Sequence, residues 1–278
     1  YYKFNPNGIQ GSSSTLKTFD LYQNMIAVGG GRIGAKTDLG DLDVYFGDYA
    51  RVLAGTTATP ANQEQAHIGQ AYVAQAFGPV TATLGRFMTH VGFEVADSVS
   101  DWNYTRSLLY ANVPFFHTGL KLNYAPVEGL GLMVQADDGN STLYKTDSRG
   151  GGGAQVSWTG TKDLAIYANY YYDQTLAASI VDQIHFFDLV TTYTLMDGLD
   201  LAGEYLYTTT LASGAKDSTG ALLTTSTMPG DPMAVPYSPK SQGYALYANY
   251  STPLTGLAIT PRFEAWYTPD AFESKFDY

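Results

Sequence analysis

The sequence predicts an all-β chain, a transmembrane antiparallel β-barrel of about fourteen strands (range twelve to sixteen). Three observations predict it. Apolar and polar residues alternate over segments of roughly 9–12 residues, the length of a tilted strand crossing a bilayer. The connections between those segments alternate between tight turns and long loops, as they do where short periplasmic turns face longer extracellular loops. The composition suits lipid without helices. Of 278 residues, 45% are hydrophobic, 14% aromatic and only 15% charged, with 23 tyrosines and 29 glycines. An ordinary soluble protein carries about 25% charged residues. The chain has no apolar stretch of the ~20 residues that a membrane helix needs, which leaves the closed barrel as the other structure that satisfies its backbone in lipid.

The alternation is plainest near the end of the chain. From Leu257 to Tyr267, one face carries Leu257, Ile259, Pro261, Phe263, Ala265 and Tyr267, and the other Ala258, Thr260, Arg262, Glu264 and Trp266. Period two sends these sets to opposite sides of a sheet. From Leu199 to Tyr207, Leu199, Leu201, Gly203, Tyr205 and Tyr207 face away from Asp200, Ala202 and Glu204. Tyr244, Leu246, Ala248 and Tyr250 place an aromatic at each end of an aliphatic stretch, as a strand between two aromatic girdles does. Thr118 to Tyr124 and Leu130 to Asp137 alternate in the same way.

Tight turns are expected near Gly40, at Gly78-Pro79, at Pro126 to Gly129, at Gly160 to Lys162, at Asp197-Gly198 and at Pro253 to Gly256. Long loops are expected at Leu53 to Ala66, Val91 to Phe115, Gly139 to Gly151, Thr175 to Val181 and Leu211 to Ser241. These turns account for twelve strands. Further strands near Tyr1 to Phe4 and from Phe276 onward would make fourteen. The stretch Leu16 to Leu39 is too long for one crossing and reads either as a strand with an outer extension or as two strands with a turn at Gly29 to Gly31. Pro229 to Pro239 holds four prolines and belongs to a loop. Residues 1–278 read as a single domain. The chain begins at Tyr1, so any export signal lies outside it.

Composition and spacing exclude several functions. There is no cysteine, hence no disulfide scaffold, zinc knuckle or thiol chemistry. A net charge of −11 argues against nucleic acid as a partner. Gly29 to Gly34 matches G-x-G-x-x-G, but a hairpin-like alternation follows instead of the helix that would receive a pyrophosphate. His67, His90, His117 and His185 form no H-x-x-x-H or H-E-x-x-H pair, and there is no G-x-S-x-G elbow. Asp137 to Ser141 is oxygen-rich but lacks the ligand spacing of a calcium loop, so it reads as a solvated acidic loop. Catalytic residues, metals and cofactors are therefore expected to be none.

The segment Gly85 to Gly119 is the richest. It runs Gly85-Arg86-Phe87-Met88-Thr89, then Gly92-Phe93-Glu94, Asn103-Tyr104-Thr105-Arg106-Ser107, Tyr110, Pro114 and His117-Thr118-Gly119. A basic side chain near the bilayer midplane costs ~2–4 kcal/mol on the lipid face, so Arg86, Glu94 and Arg106 must point inward. If the segment folds into the lumen, these charges can pair across the pore and set a transverse field and a size cutoff. Alternatively they tie a surface loop to the wall. Arg86, Glu94, Arg106 and His117 are thus expected at a pore constriction or loop anchor. Alternation assigns Arg32, Lys36, Asp43, Lys121, Asp188, Glu204, Arg262 and Glu264 to the lumen.

In this segment the sequence resembles the OmpL-like β-barrel outer-membrane porins of Gram-negative bacteria. That family shows G-R-F-x-T-x-x-G-x-E, then N-Y-S-R-S, a tyrosine, a proline and H-T-G. The matching residues are Gly85, Arg86, Phe87, Thr89, Gly92 and Glu94, then Asn103, Tyr104, Arg106 and Ser107, then Tyr110, Pro114, His117, Thr118 and Gly119. Thr105 departs from the family's serine and keeps the hydroxyl. The close resemblance spans roughly Gln70 to Asn140, with only the strand rhythm agreeing elsewhere. It implies an outer-membrane barrel with porin activity and identifies no substrate. The expected function is passive diffusion of small hydrophilic solutes through a water-filled lumen, with weak cation preference from the acidic excess. The alternative is a plugged barrel serving as a structural or partner-binding scaffold. A soluble carbohydrate-binding β-protein and an outer-membrane lipase are further readings. Expected partners are outer-membrane lipid, lipopolysaccharide and small hydrophilic solutes, with a homo-oligomer or an envelope protein partner left open.

Overall fold

The computed structural model describes residues 30–37, 39–47, 50, 66–96, 100–103, 105–139, 148–177, 180–214, 240–254 and 256–267. They form one antiparallel sheet of β1 (Gly30–Thr37), β2 (Gly40–Gly47), β3 (Ala66–Phe77), β4 (Val80–Met88), β5 (Phe116–Val127), β6 (Leu130–Asp137), β7 (Ser148–Trp158), β8 (Leu164–Ala177), β9 (Ile180–Met196), β10 (Leu199–Gly214), β11 (Lys240–Ser251), β12 (Ala258–Ile259) and β13 (Arg262–Tyr267). Each strand pairs with its sequence neighbour through β11, which then pairs with both β12 and β13. The last two form a single crossing interrupted at Pro261, which has no N–H to give the ladder. Twelve crossings are therefore described. Gly30 opens a strand, not a helix, so the glycine run there builds no pyrophosphate cradle.

Every expected tight turn lies where two consecutive strands meet at one end of the sheet, from the β1–β2 turn before Gly40 to the β11–β12 turn around Pro253 to Gly256. The long connections gather at the other end. One of them is corrected. Thr175 to Val181 is no long loop, because β8 runs to Ala177 and β9 starts at Ile180. The 17-residue β9 and 16-residue β10 are longer than a bilayer requires. Seventeen residues at ~3.3 Å each and a ~45° tilt rise about 40 Å, against a hydrocarbon core of ~30 Å. Strand propensity thus continues past the membrane on the loop side, where Thr208, Thr209 and Thr210 extend β10.

The barrel is not closed among the described residues. β1 and the β12–β13 crossing stand at the two ends of the sheet. The strands expected near Tyr1 to Phe4 and from Phe276, and the segment before Gly30, lie outside the described residues.

The two faces of the sheet invert the pattern of a soluble protein. Leu84, Leu120, Leu122, Val134, Val156, Leu189 and Leu246 are exposed, and so are the aromatics Tyr124, Trp158, Phe187, Tyr193, Tyr205, Tyr244 and Tyr250 above and below them. The opposite face buries Asp43, Thr83, Gln135, Asn169, Asp173, Asp188 and Glu204. An apolar exterior around a polar interior is stable where the outer solvent is lipid. Leu189→Arg, at the middle of the outer face, is expected to cost ~2–4 kcal/mol in urea unfolding from lipid vesicles. Asn249→Arg, on the inner face, should leave the midpoint nearly unchanged, and equal losses would contradict these facings.

Candidate functional site

The described residues of the connection between β4 and β5, 89–96, 100–103 and 105–115, lie against the inner face of the sheet at mid-height. The connection begins beside its own strands, where Thr89 Oγ1 lies 3.2 Å from His117 Nε2. His90 Nε2 bonds the Tyr170 carbonyl of β8 at 3.0 Å. The His90 ring takes the space in front of Gly153 of β7, and a Cβ there would collide with it. The glycine run Gly150 to Gly153 is therefore a strand start where bulk would clash. Gly92 adopts a φ of 95°, a conformation that L side chains rarely take. Its N–H donates to Asp188 Oδ2 of β9 at 2.8 Å. The same oxygen accepts from Asn169 Nδ2 at 2.7 Å, and Gln155 Nε2 donates to Asn169 Oδ1 at 2.7 Å.

The far end of the loop is held by the last crossing. Arg262 of β13 donates to Glu94 Oε1 at 3.0 Å, to the Thr105 and Arg106 carbonyls at 2.5 and 2.8 Å, and to Glu264 Oε1 at 3.3 Å. The second oxygen of each carboxylate accepts a loop N–H, Ser107 at Glu94 and Leu108 at Glu264, both at 2.7 Å. Asn103 Nδ2 reaches the Thr260 carbonyl. The Arg262 and Glu94 side chains are only 6% and 2% exposed. Between these polar ties, Val91, Leu109 and Val113 pack on Tyr171, Phe186, Leu206 and Tyr247 of the wall.

The structure does not bring Arg86, Glu94 and Arg106 together across a pore, which corrects the expected pairing. Glu94 pairs with Arg262. Arg106 pairs with Asp101 inside the loop, donates to the Ala96 carbonyl at 3.0 Å and lies over the Tyr110 ring. Arg86 contacts His67 Nε2 at 3.0 Å and stacks 3.6 Å from the Phe116 ring centroid. Each charge met a nearer partner, Arg106 within the loop, Arg86 on the adjacent strands β3 and β5, and only Glu94 on a strand distant in sequence. His117 is fully buried against the Tyr171 ring, 3.8 Å from Asp137 Oδ1. That carboxylate also accepts from Tyr171 Oη and Gly139 N, so the oxygen-rich Asp137 segment closes on the protein itself.

Of the expected lumen residues, Asp43, Lys121, Asp188, Glu204, Arg262 and Glu264 lie on the inner face. Asp43 accepts from Gln70 at 2.9 Å, and Lys121 Nζ sits 4.4 Å over the Phe87 ring. Arg32 and Lys36 occupy β1 opposite Tyr45 and Asp41, and their side chains lie outside the described residues. His185 is bonded to Tyr170 Oη at 2.8 Å on the outer face. Sequence reasoning missed Asp101 as the partner of Arg106, and Asn169, Tyr171 and Gly153 as the wall beneath the loop. Alternation from Tyr167 would have placed Asn169 and Tyr171 inward, but not beneath the loop.

A model of the "Putative beta-barrel porin-2, OmpL-like" family matches residues 1–275, nearly the whole chain. The chain belongs to the OmpL-like porin family. It is thus a β-barrel protein of the bacterial outer membrane. No curated protein matches this sequence. Among solved structures, the porin is similar to Salmonella typhi OmpF in complex with daunomycin, at 14% identity and a TM-score of 0.55 over 85% of this chain and 70% of that one. It is also similar to the outer-membrane channel DcaP of Acinetobacter baumannii, at 13% identity and a TM-score of 0.55 over 86% and 67%. At such identities the likeness concerns the fold.

Two groups in the porin's loop have shifted acidities. Burial pushes His90 down from 6.5 to about 4, against the bond to Tyr170 that favours its protonated form. Burial also raises Glu94, opposed by the Ser107 N–H and by Arg262. Docking therefore favours neutral His90. Its contribution is full above pH 6.5 and fades as pH falls toward 4, by about 3 kcal/mol. Glu94 acts with the opposite sign, since its raised pKa lets acid favour the docked state. Wild type should lose stability between pH 6.5 and 4 relative to His90→Gln; parallel profiles would refute the assignment. Arg262→Met strands two buried carboxylates and is expected to cost ~3–5 kcal/mol. Protease cleavage after Arg106 would report the loop's release.

Proposed function

We propose that this porin closes into a barrel in the outer membrane and passes small hydrophilic solutes by passive diffusion, through a lumen narrowed by residues 89–115. The single observation that carries this reading is the loop itself, held at mid-height against a polar inner face by Arg262, Glu94, Asp188 and His90. A loop that only covered the barrel mouth would need no ties at the middle of β8, β9 and the β12–β13 crossing. Glu94 and His117 act as loop anchors, Arg106 braces the loop from within, and Arg86 braces the wall beside it. The remaining inner-face charges, with an acidic excess, give a weak preference for cations. Closure brings the β1 edge to the β12–β13 edge, directly or through further strands up to the expected fourteen. The process has no chemical step and assigns no catalytic residue.

One observation favours a plugged scaffold instead. Leu109 and Leu206 are fully buried where the loop meets the wall, so that contact is sealed against water. Single-channel recording in planar bilayers separates the two readings. The porin reading expects a steady open-pore current, a reversal potential in a salt gradient of the sign for cation preference, and a several-fold larger conductance for Arg262→Met. A silent wild type that conducts only when the loop is released would establish the plug.

A further inference from the structure

Beneath the loop, on its turn side, lies a cavity of about 300 Å³ between loop residues His90 to Phe93 and the inner face of β7, β8 and β9. This volume is at the small end of ligand sites, the scale of a sugar ring and not of a peptide. The lining is unlike the rest of the site. Phe93 and Tyr167 supply aromatic rings, Gln155 and Asn169 amides, and Thr192 a hydroxyl. No Asp, Glu, Lys or Arg lines it, although the chain carries a net charge of −11. The two amides are held in one orientation by the relay from Gln155 through Asn169 to Asp188.

A second cavity of about 150 Å³ shares Gln155 and continues toward the turn end past Thr81, Asn123 and Ser157, again with no charged lining. From the loop to the turn end, the wall thus offers a track of neutral donors and acceptors. Of the charged groups that touch the loop, Glu94 and Glu264 are engaged by Arg262 and Arg106 by Asp101, while Asp188 and Glu204 take the backbone N–H groups of Gly92 and Phe93 from behind the cavity lining. An ionic solute finds no counter-charge in this track, and an apolar one would leave its amides unpaired. A polyhydroxylated solute can use both kinds of group. Its hydroxyls donate to and accept from amides and Thr192, and its C–H faces stack on aromatic rings.

Resting on the channel reading above, we propose that this cavity is a binding subsite for neutral polyhydroxylated solutes, namely small sugars, with Tyr167, Gln155 and Thr192 setting the preference. Maltose is the probe, and betaine, small and net-neutral but without hydroxyls, is the control. Maltose should block the single-channel current in a dose-dependent way. It should also change tryptophan emission of detergent-solubilised protein, because Trp102 packs edge-on against Phe93 at 5.3 Å. Tyr167→Ala and Thr192→Val should each weaken both responses by about tenfold, while betaine gives neither.

Open channels with no maltose block and no emission change would overturn the subsite and leave the channel reading intact. Equal responses to betaine, or responses unchanged by both substitutions, would also overturn it. A silent barrel whose emission still titrates with maltose, and loses that response in both variants, would uphold the subsite and refute the channel. Silence in both measurements would refute both.

Discussion

Hydrocarbon accepts no unpaired backbone N–H or C=O, and this constraint organises the chain. A β-chain meets it only through continuous ladders between neighbours, which the unbroken order from β1 to β11 supplies. The ladder then forces period two on the side chains, so that any strand with lipid on one side presents every second residue to the other. Leu246 and Tyr244 face out because Ala245 and Tyr247 face in. Prolines obey the same rule. Pro261 splits the last crossing, and Ala248 N still finds the Pro261 carbonyl at 3.1 Å.

A polar interior creates a second problem, because charges facing one another in a narrow lumen must be solvated or paired. Residues 89–115 answer it on the β8 to β13 side. Arg262 neutralises two carboxylates and also takes two loop carbonyls, so the loop's own backbone serves as solvent for the guanidinium. Replacing water by fixed dipoles in this way holds buried charge where geometry and hydrogen bonding are good. The apolar contacts of Leu109 and Val113 then exclude water from the same contact and strengthen it.

The legibility of these features in the sequence followed their range. Turns were readable because Gly78-Pro79 or Asp197-Gly198 acts within a few residues, and facing was readable because alternation is local. The extent of β8 and β9 was not, since nothing local to Thr175–Ala177 or Ile180–Val181 sets where the ladder ends, and these residues are strand through pairing with each other. The site was legible in its residue types but not in its pairings. Arg86, Glu94 and Arg106 were identifiable as charges that must avoid lipid. That Glu94 meets Arg262, 168 residues away, depends on how far the sheet curves before its last crossing returns beneath the loop. No local pattern encodes that curvature. The inward turn at Gly92 likewise needs Asp188 of β9, which alternation places in the lumen but at no particular height.

On the proposed channel reading, the same organisation separates the groups that hold the loop from the groups that meet a solute. Glu94 and the Arg262 guanidinium are buried and fully committed to each other and to the loop backbone, so they present almost no net field to the lumen. On that reading, selectivity on this side rests on inward-facing side chains outside the Arg262 anchor, which are amides, hydroxyls and rings together with the Asp188 and Glu204 carboxylates. A loop anchored by strong charges and bordered by weak, neutral groups resists displacement while letting a solute bind and leave. That combination is what conduction through a narrow site demands, since a solute held as tightly as the loop would never pass.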